Sequence, residues 1–346
     1  MTTPREPRVQ RDIGPRATRA RPLAIAIALS LALAALWPAA PAAAQAVIRI
    51  DGSSTLYPMS EAAAREHQVR LRGLVRVPVE ISGTRGGFRK FCRGEIELQD
   101  ASRPILADEQ ANCLANGVRF IELPIAYDAL TLAVSTRNPF ATRLRLDDLR
   151  RVWGRRAEGT RTTWKTVNAG WPATPLALYG PGADSGTLDY FIEAVIGAGG
   201  AIRRDYHGSE DDQFLAAAVA DDPAALGILP YAYAIRNADR LRLLPLDAVS
   251  PSVESVTAGR YQPLSRPLFL YVAERAAARA EVREFVAQYL DDAPRLASGA
   301  GLVPLPREAY AIVAERFRER RLGTAFDGHS AVGLSFEQLL QRETAP

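Results

Sequence analysis

Histidine is scarce in this chain of 346 residues, and its scarcity narrows the chemistry that the protein can perform. The three histidines (His67, His207 and His329) are widely separated and lack the spacing of a metal-binding motif. Serine-hydrolase chemistry is also disfavoured, because Ser185 does not stand in a Gly-x-Ser-x-Gly motif. We therefore predict a protein that is not an enzyme and that needs neither a metal nor a cofactor.

Other absences exclude further classes of protein. No Gly-Lys-Ser or Gly-Lys-Thr follows a glycine-rich loop, and no Gly-x-Gly-x-x-Gly marks a dinucleotide site. Beyond residue 44 no apolar run approaches the roughly 20 residues that a membrane-spanning helix needs. Internal repeats, low-complexity tracts and coiled-coil heptads are missing as well, so we expect an ordinary soluble protein.

The first 44 residues have the pattern of a secretory signal. Six arginines between Arg5 and Arg21 precede the uncharged apolar run Leu23–Trp37, and a small-residue stretch follows it. The run has 15 residues, too few to span a membrane. We expect residues 1–44 to be cleaved and the remainder to reach the periplasm without a lipid anchor, because no cysteine stands at the junction.

This leader also explains the basic pI of about 9.2. The leader holds 6 of the 43 lysines and arginines and 2 of the 39 acidic residues, so the remainder carries 37 of each. A formally neutral chain lacks the electrostatic footprint of a nucleic-acid-binding protein. We therefore expect no nucleic-acid partner.

The two cysteines, Cys92 and Cys113, both lie beyond the leader. In an exported protein such a pair is more often bridged than free, so we predict a disulfide between them. Closing a loop of this length stabilises a fold by on the order of 3 kcal/mol, mostly by restricting the unfolded chain.

Short β-rich runs alternate with helical patterns, which predicts parallel sheets with helices on both faces. The predicted strands are Val47–Ile50, Val75–Ile81, Phe120–Ile125, Leu130–Ser135, Leu176–Tyr179, Leu226–Leu229, Leu241–Leu246 and Leu268–Ala273. The predicted helices are Met59–Val69, Asp147–Trp153, Gly186–Ile196, Asp212–Val219, Arg279–Leu290 and Arg307–Arg318. In such sheets a ligand binds beyond the carboxyl ends of the strands, where loops lead into helices.

Three loops in such positions combine small hydroxyl side chains with glycine. The first is Asp51–Pro58, the second is Ser82–Phe88 with the charge of Arg85, and the third is Tyr179–Phe191. Hydroxyl donors and free N–H groups at the start of a helix attract anions. Each loop alone is explained as well by helix capping or a glycine turn, but together they favour a buried oxyanion site.

These loops resemble the phosphate-binding subunit of bacterial phosphate ABC importers. The resemblance follows chain order over nearly the whole sequence after the leader, and it implies an α/β fold of the type II periplasmic binding protein class. In that fold two lobes, built from mixed, mostly parallel sheets with helices on both faces, close on the ligand. The segments that carry the resemblance are Asp51–Pro58, Ser82–Phe88, Ala101–Ile105, Tyr179–Phe191 and Gln262–Leu270.

Lobe boundaries also follow from the resemblance. The two strands that cross between the lobes would fall near Tyr127–Leu132 and near Ser265–Leu270. Lobe I would comprise residues 45–127 and 267–346, and lobe II would comprise residues 128–266.

The resemblance assigns phosphate contacts residue by residue. The Thr55 hydroxyl and the Leu56 N–H would bind from the first loop, and the other two loops would complete the site. The full predicted set is Ser54, Thr55, Leu56, Thr84, Arg85, Ser102, Arg103, Asp184, Ser185, Gly186 and Thr187.

One charged pair departs from the best-known branch of that family. There, an aspartate at the position of Arg103 accepts the proton of phosphate, and an arginine stands at the position of Pro181. In this sequence Arg103 and Arg85 are expected to supply the positive charge, and Asp184 and Asp128 are the candidate proton acceptors. A carboxylate acceptor distinguishes phosphate, which carries a proton, from sulfate, which does not.

The sequence therefore predicts a monomeric periplasmic receptor that captures inorganic phosphate and delivers it to the membrane permease subunits of an ABC transporter. Two alternatives stay open at this point. One is a receptor for another tetrahedral oxyanion, such as sulfate, molybdate or arsenate. The other is a secreted phosphatase-like enzyme, which turnover of a phosphomonoester would reveal.

Overall fold

The computed structural model describes residues 45–328 and 331–344, so the predicted signal peptide (residues 1–44) and His329 lie outside the described residues. The strands are β1 (Ala46–Val47), β2 (Ile50–Gly52), β3 (Val75–Arg76), β4 (Leu98–Ala101), β5 (Phe120–Ser135), β6 (Ala177–Pro181), β7 (His207–Ser209), β8 (Ala225–Pro230), β9 (Leu241–Leu244) and β10 (Ser265–Ala273). The α-helices are α1 (Tyr57–Arg70), α2 (Gly83–Cys92), α3 (Ala107–Ala115), α4 (Leu146–Trp153), α5 (Trp164–Val167), α6 (Gly186–Phe191), α7 (Asp212–Asp221), α8 (Tyr231–Arg236), α9 (Val253–Thr257), α10 (Glu274–Ala277), α11 (Ala280–Ala300), α12 (Arg307–Arg318) and α13 (Phe336–Thr344). A 3-10 turn (Arg155–Ala157) follows α4, and a π-helical turn (Ile192–Ile196) follows α6.

One long strand, β5, joins two half-sheets. Residues 120–129 of β5 pair with β10, which pairs in turn with β4 and thereby with β2. Residues 130–135 pair with β8 and β9, and β8 continues to β6 and β7. The change of partner falls inside the predicted first crossing, and β10 begins at Ser265, where the second crossing was predicted to begin. The two-lobed α/β architecture implied by the resemblance is confirmed.

The predicted predominance of parallel pairing holds only away from β5 and β10. Among the described strands, β1–β3, β2–β4, β6–β7 and β6–β8 are parallel pairs. Every described pairing that involves β5 or β10 is antiparallel. Alternation of strands and helices along the chain predicts parallel pairing between neighbouring strands. The crossing strands β5 and β10 do not follow this alternation, and all their described pairings are antiparallel.

Some predicted boundaries are wrong because contacts distant in the sequence decide them. The predicted strand Val47–Ile50 is interrupted, since β1 ends at Val47 and β2 begins at Ile50. The predicted strands Phe120–Ile125 and Leu130–Ser135 are parts of one strand whose 16 residues are all buried. Asp128, which lies between the two predicted strands, is buried within the continuous strand because it forms an ion pair with Arg266 of β10.

The second predicted loop is helical. Helix α2 begins at Gly83, and its glycines serve packing, because a Cβ atom on Gly87 would lie 1.9 Å from Gln99 Oε1 of β4. Helix α11 also exceeds its prediction, since it continues through Pro294 to Ala300. Elements with no predicted counterpart include β4, α3 and α13.

A bulge interrupts the ladder between β5 and β10. Ala126 lies opposite Leu268, and Pro124 lies opposite Phe269, so Ile125 has no opposite residue. Both strands are buried along their whole length and belong to the main hydrophobic core. The bulge therefore lies in the centre of the molecule rather than at an edge.

The predicted disulfide between Cys92 and Cys113 is present. It joins the last residue of α2 to α3, and the two Cα atoms are 4.1 Å apart. Because α2 begins within the second loop, the disulfide anchors the helix that bears this loop.

Candidate functional site

The three predicted loops converge, although they are far apart in the sequence. Thr55 Oγ1 of the first loop lies 3.4 Å from Thr187 Oγ1 of the third loop. The second and third loops are so close that a Cβ atom on Gly186 would lie 2.5 Å from Thr84 Oγ1. At most 1% of the surface of each of these three threonines is exposed, so their hydroxyls are withdrawn from solvent.

Helix starts add backbone donors to these hydroxyls. Leu56 is the N-cap of α1, and Ser185 is the N-cap of α6, where its hydroxyl accepts a hydrogen bond from the Thr187 N–H at 3.2 Å. The first N–H groups of a helix have no partners inside it, so each start presents donors and partial positive charge. Because Ser185 acts as an acceptor in its cap, it keeps its own O–H proton for a ligand.

Ser102 links the first loop to the second. Its N–H donates to Thr84 Oγ1 at 3.1 Å, and its hydroxyl forms a hydrogen bond with the Ser53 hydroxyl. The structure thus brings most of the predicted contacts together in one buried group, which we call the hydroxyl cluster. Its members are Ser54, Thr55, Leu56, Thr84, Ser102, Ser185, Gly186 and Thr187.

Arg266, which the sequence analysis did not single out, gives the hydroxyl cluster its positive charge. Its Nη2 atom donates to Thr187 Oγ1 at 2.8 Å, to Asp128 Oδ2 at 2.9 Å and to Thr55 Oγ1 at 3.3 Å. Its Nη1 atom donates to the Ser102 carbonyl at 3.3 Å. One completely buried guanidinium therefore contacts both the first and the third loop.

Strand pairing places Arg266 at this point. Asp128 of β5 and Arg266 of β10 lie directly opposite each other in the antiparallel ladder, and their side chains form a fully buried ion pair. This ion pair could have been predicted from the sequence, because Asp128 lies in the predicted crossing segment Tyr127–Leu132 and Arg266 lies in the other one, Ser265–Leu270. Pairing those two segments antiparallel would have brought the charges together.

The two arginines that were predicted to supply positive charge to the anion site, Arg103 and Arg85, form ion pairs with carboxylates of the protein. Arg103 is buried, and it donates to Glu109 Oε1 and to Asp189 Oδ2, both at 2.8 Å. Arg85 donates to Asp189 Oδ1, also at 2.8 Å. Asp189 lies in α6, within the third predicted loop (Tyr179–Phe191), so both arginines connect this helix to the opposite side of the site. A direct contact of Arg103 or Arg85 with an anion stays a prediction.

Both candidate proton acceptors are also occupied. Asp184 accepts hydrogen bonds from the guanidinium of Arg89 at 2.8 and 2.7 Å, and its side chain is 40% exposed. The hydrogen bonds from Arg89 lower the pKa of Asp184, so its carboxylate is ionised at neutral pH. Asp128 is bound to Arg266, and its other oxygen accepts from the Tyr231 N–H at 3.3 Å.

Two absences can be stated for the described residues. Over residues 45–328 and 331–344, no helix combines the length and the apolar character that crossing a bilayer requires. Within the same ranges, no group of three or more His, Cys, Asp or Glu side chains is arranged to hold a metal ion.

Comparison with known sequences identifies relatives of the chain. The model of the PBP superfamily domain matches residues 38–292. The chain is 43% identical to Protein SphX of Synechococcus elongatus, over 93% of this chain and 97% of that protein. It is 31% identical to the phosphate-binding protein PstS of Staphylococcus haemolyticus, over 75% of this chain and 81% of that protein.

Solved structures show the same likeness. A possible phosphate binding protein from Planctomyces limnophilus matches with a TM-score of 0.60 and 34% identity, and the match covers 80% of this chain and 99% of that chain. A putative phosphate ABC transporter substrate-binding protein from Clostridium perfringens, solved with bound phosphate, matches with a TM-score of 0.62 and 21% identity. That second match covers 75% of this chain and 100% of the other, and at its identity it supports the fold alone.

Proposed function

The chain belongs to the PBP superfamily, in the branch of PstS-like phosphate-binding proteins, and we propose that it captures inorganic phosphate for an ABC importer. This branch consists of transport receptors rather than enzymes, so the phosphatase alternative is set aside. The observation that carries the proposal is the hydroxyl cluster, in which a buried Arg266 contacts Thr55 and Thr187.

Binding by this cluster requires no covalent chemistry. A phosphate anion among these groups exchanges its hydration shell for hydroxyl, helix N–H and guanidinium donors that the fold already holds in place. Such hydrogen bonds are stronger in a buried, low-dielectric site than in water. The ion pair with Asp128 keeps the guanidinium of Arg266 oriented toward the two threonine hydroxyls.

The proposed lobes place the donors on both sides of the ligand. With lobe I as residues 45–127 and 267–346, and lobe II as residues 128–266, the first two loops belong to one lobe and the third to the other. A ligand that binds both lobes stabilises the closed form, because it binds that form more tightly than the open one. A direct contact accompanies closure, since the Tyr233 hydroxyl donates to the Ser54 carbonyl at 2.9 Å.

Export and delivery complete the proposal. Residues 1–44 act as a cleaved signal peptide, and the receptor works as a periplasmic monomer that passes phosphate to membrane permease subunits. The leader pattern supports export, and membership of the PstS-like branch supports delivery to a transporter.

Removal of a single hydroxyl should weaken phosphate binding. Thr187→Val and Thr55→Val each keep the side-chain shape and lose one donor, and a hydrogen bond to a charged group contributes roughly 1.5–3 kcal/mol. We expect each variant to bind phosphate about tenfold more weakly, or worse, in isothermal titration calorimetry. Thr257→Val, at the exposed end of α9, is the matched control and should keep the wild-type affinity. Unchanged affinity in both site variants would refute the site assignment.

A methyl group on Gly186 should oppose the approach of the second and third loops. Its Cβ atom would lie 2.5 Å from Thr84 Oγ1 and 2.7 Å from Thr84 Cβ, so one loop must shift. Overpacking of this kind costs about 1–3 kcal/mol, and Gly186→Ala should weaken phosphate binding by about ten- to a hundredfold in calorimetry. Gly299→Ala in α11 meets no atom within 4 Å and should leave the affinity unchanged. Wild-type affinity in Gly186→Ala would mean that the two loops do not meet in the bound state.

A further inference from the structure

Residues 143–166, which we call the basic segment, carry a positive charge that the hydroxyl cluster does not use. The segment contains eight lysines and arginines but only three acidic residues, whereas the chain beyond the leader is formally neutral. It includes α4, the 3-10 turn and α5, and all of it lies in the proposed lobe II. None of the residues of the hydroxyl cluster belongs to it, so its charge requires a separate explanation.

Ion pairs within the basic segment leave an excess of cations. Each of its three acids is paired with an arginine of the same segment: Asp147 with Arg150, Asp148 with Arg151 and Glu158 with Arg155. The other five cations are exposed and form no ion pair with any residue that the structure describes: Arg143, Arg145, Arg156, Arg161 and Lys165. Like charges held close together repel one another, so an anionic partner would stabilise this surface.

A cavity of about 530 Å³ lies within the basic segment, between α4 and α5. Its charged lining residues are Asp147, Arg150, Arg151 and Arg156, and its other lining residues are Ala157, Thr160, Thr162 and Thr166. Asp147 is already bound to Arg150, so the lining has an excess of positive charge. A space of this volume, lined by guanidinium and hydroxyl groups, can admit a phosphate-bearing head group.

The basic segment presents no large exposed apolar side chain in the part of the chain that the structure describes. Its two tryptophans, Trp153 and Trp164, are buried, and the exposed large apolar residues, such as Phe214 and Leu114, lie outside it. Protein–protein interfaces are usually anchored by aromatic or other large side chains in buried pockets. An anionic lipid surface, by contrast, attracts basic residues without such anchors. The composition of this surface therefore favours a lipid partner over a protein.

We propose that the basic segment binds the head groups of anionic phospholipids and holds the receptor against the membrane surface. The exposed guanidinium groups form charge-assisted hydrogen bonds with lipid phosphates, and no apolar side chain enters the bilayer. The hydroxyl cluster withdraws one ion from water, whereas this surface meets many anions at the edge of the water phase. The inference goes beyond the proposed function and does not depend on which anion the hydroxyl cluster binds.

Co-sedimentation with lipid vesicles tests this inference. Vesicles of phosphatidylglycerol and phosphatidylcholine in equal parts are compared with vesicles of phosphatidylcholine alone, at about 0.1 M salt. The basic leader would itself bind anionic vesicles, so every protein is used after residues 1–44 have been cleaved. The remaining chain, from Gln45 onward, forms one compact unit. We expect the wild-type protein to sediment with the anionic vesicles and to stay in solution with the neutral ones.

Reversing three of the unpaired charges should abolish most of this binding. The triple variant Arg156→Glu, Arg161→Glu, Lys165→Glu should bind the anionic vesicles about a hundredfold more weakly, or worse, because each basic residue near such a surface contributes to binding. The matched control, Arg76→Glu, Arg307→Glu, Arg318→Glu, changes three exposed arginines outside the segment and should bind as the wild type does. Both triple variants should keep the wild-type phosphate affinity in calorimetry.

Salt tests the same inference on the unmodified protein. Raising the salt concentration from about 0.1 M to about 1 M shortens the screening length from about 10 Å to about 3 Å, so the wild-type protein should leave the vesicles. Binding that persists at high salt, or that is equal for neutral and anionic vesicles, would overturn the inference.

The remaining outcomes identify other occupants of the basic segment. If the wild-type protein ignores anionic vesicles at about 0.1 M salt, the lipid assignment is wrong and an acidic protein is the better partner. A second phosphate ion that binds to the wild type, and not to the patch-reversed triple variant, would assign the cavity to the free anion if vesicles are not bound. A protein that binds vesicles but no phosphate would overturn the proposed function and leave this inference standing.

Discussion

Replacing Arg266 with glutamine is expected to weaken phosphate binding about a thousandfold. The guanidinium is the charged donor that contacts both Thr55 and Thr187, so its loss removes a positive charge and charge-assisted hydrogen bonds from a buried site. A thousandfold change corresponds to about 4 kcal/mol, which is the scale of two hydrogen bonds to a charged group. Isothermal titration calorimetry with phosphate at neutral pH measures it.

The same substitution leaves Asp128 buried without its partner. Removing one member of a buried ion pair costs about 3–5 kcal/mol, so Arg266→Gln should also lower the midpoint of urea unfolding. The double variant Asp128→Asn, Arg266→Gln carries neither charge and separates the two effects. It should regain much of the lost stability and none of the lost phosphate affinity. Near-wild-type affinity in a folded double variant would contradict the role given to Arg266.

Loss of the disulfide between Cys92 and Cys113 should be the largest single change in stability outside the site. The cysteines are 21 residues apart, and closing such a loop contributes on the order of 3 kcal/mol by restricting the unfolded chain. For a chain of this size the change corresponds to a Tm lower by roughly 5 °C. Thermal unfolding of the double variant Cys92→Ala, Cys113→Ala, compared with the wild type, measures the effect.

Reduction offers an independent check on that result. A reductant should lower the Tm of the wild-type protein and leave the Tm of the double alanine variant unchanged. Phosphate affinity should also fall in the variant, because α2 carries Thr84 at its start and Cys92 at its end. Two free thiols in the denatured, unreduced wild-type protein would show that Cys92 and Cys113 are not joined.

Helices and loops could be predicted where the residues that determine them follow one another directly in the sequence. Helix α12 spans the predicted Arg307–Arg318, and α6 begins at Gly186 directly after its Ser185 cap. The hydroxyl-bearing loops could be found in the same way, because a strand end, small donors and a helix start follow one another along the chain.

Helix α2 could not be predicted, because its composition opposes its conformation. Three of its first five residues are Gly83, Gly86 and Gly87, and glycine is among the poorest helix formers. Distant contacts require them, since a Cβ atom on Gly83 would lie 2.5 Å from the Asp184 carbonyl oxygen. Packing against β4 and the third loop therefore decides the structure of this segment.

Arg266 escaped the sequence analysis for a different reason. It meets Asp128 across 138 residues of chain, so its role exists only once β5 and β10 are paired. Nothing in the residues next to Arg266 along the chain indicates that its guanidinium is buried or that Asp128 lies opposite it.

The bulge at Ile125 gives β5 one residue more than its partner strand needs, and this surplus decides which changes of length the strand tolerates. Losing one residue from a regular ladder turns every side chain on one side of the deletion to the opposite face. Ile125 has no opposite residue, so its deletion would remove the bulge and leave Asp128 opposite Arg266 and Glu122 opposite Tyr271. Both pairs would keep their contacts, including the hydrogen bond that Glu122 accepts from the Tyr271 hydroxyl at 2.6 Å. Descendants of this gene can therefore shorten β5 at the bulge, whereas a single deletion among residues 130–133 would shift the pairing with β8.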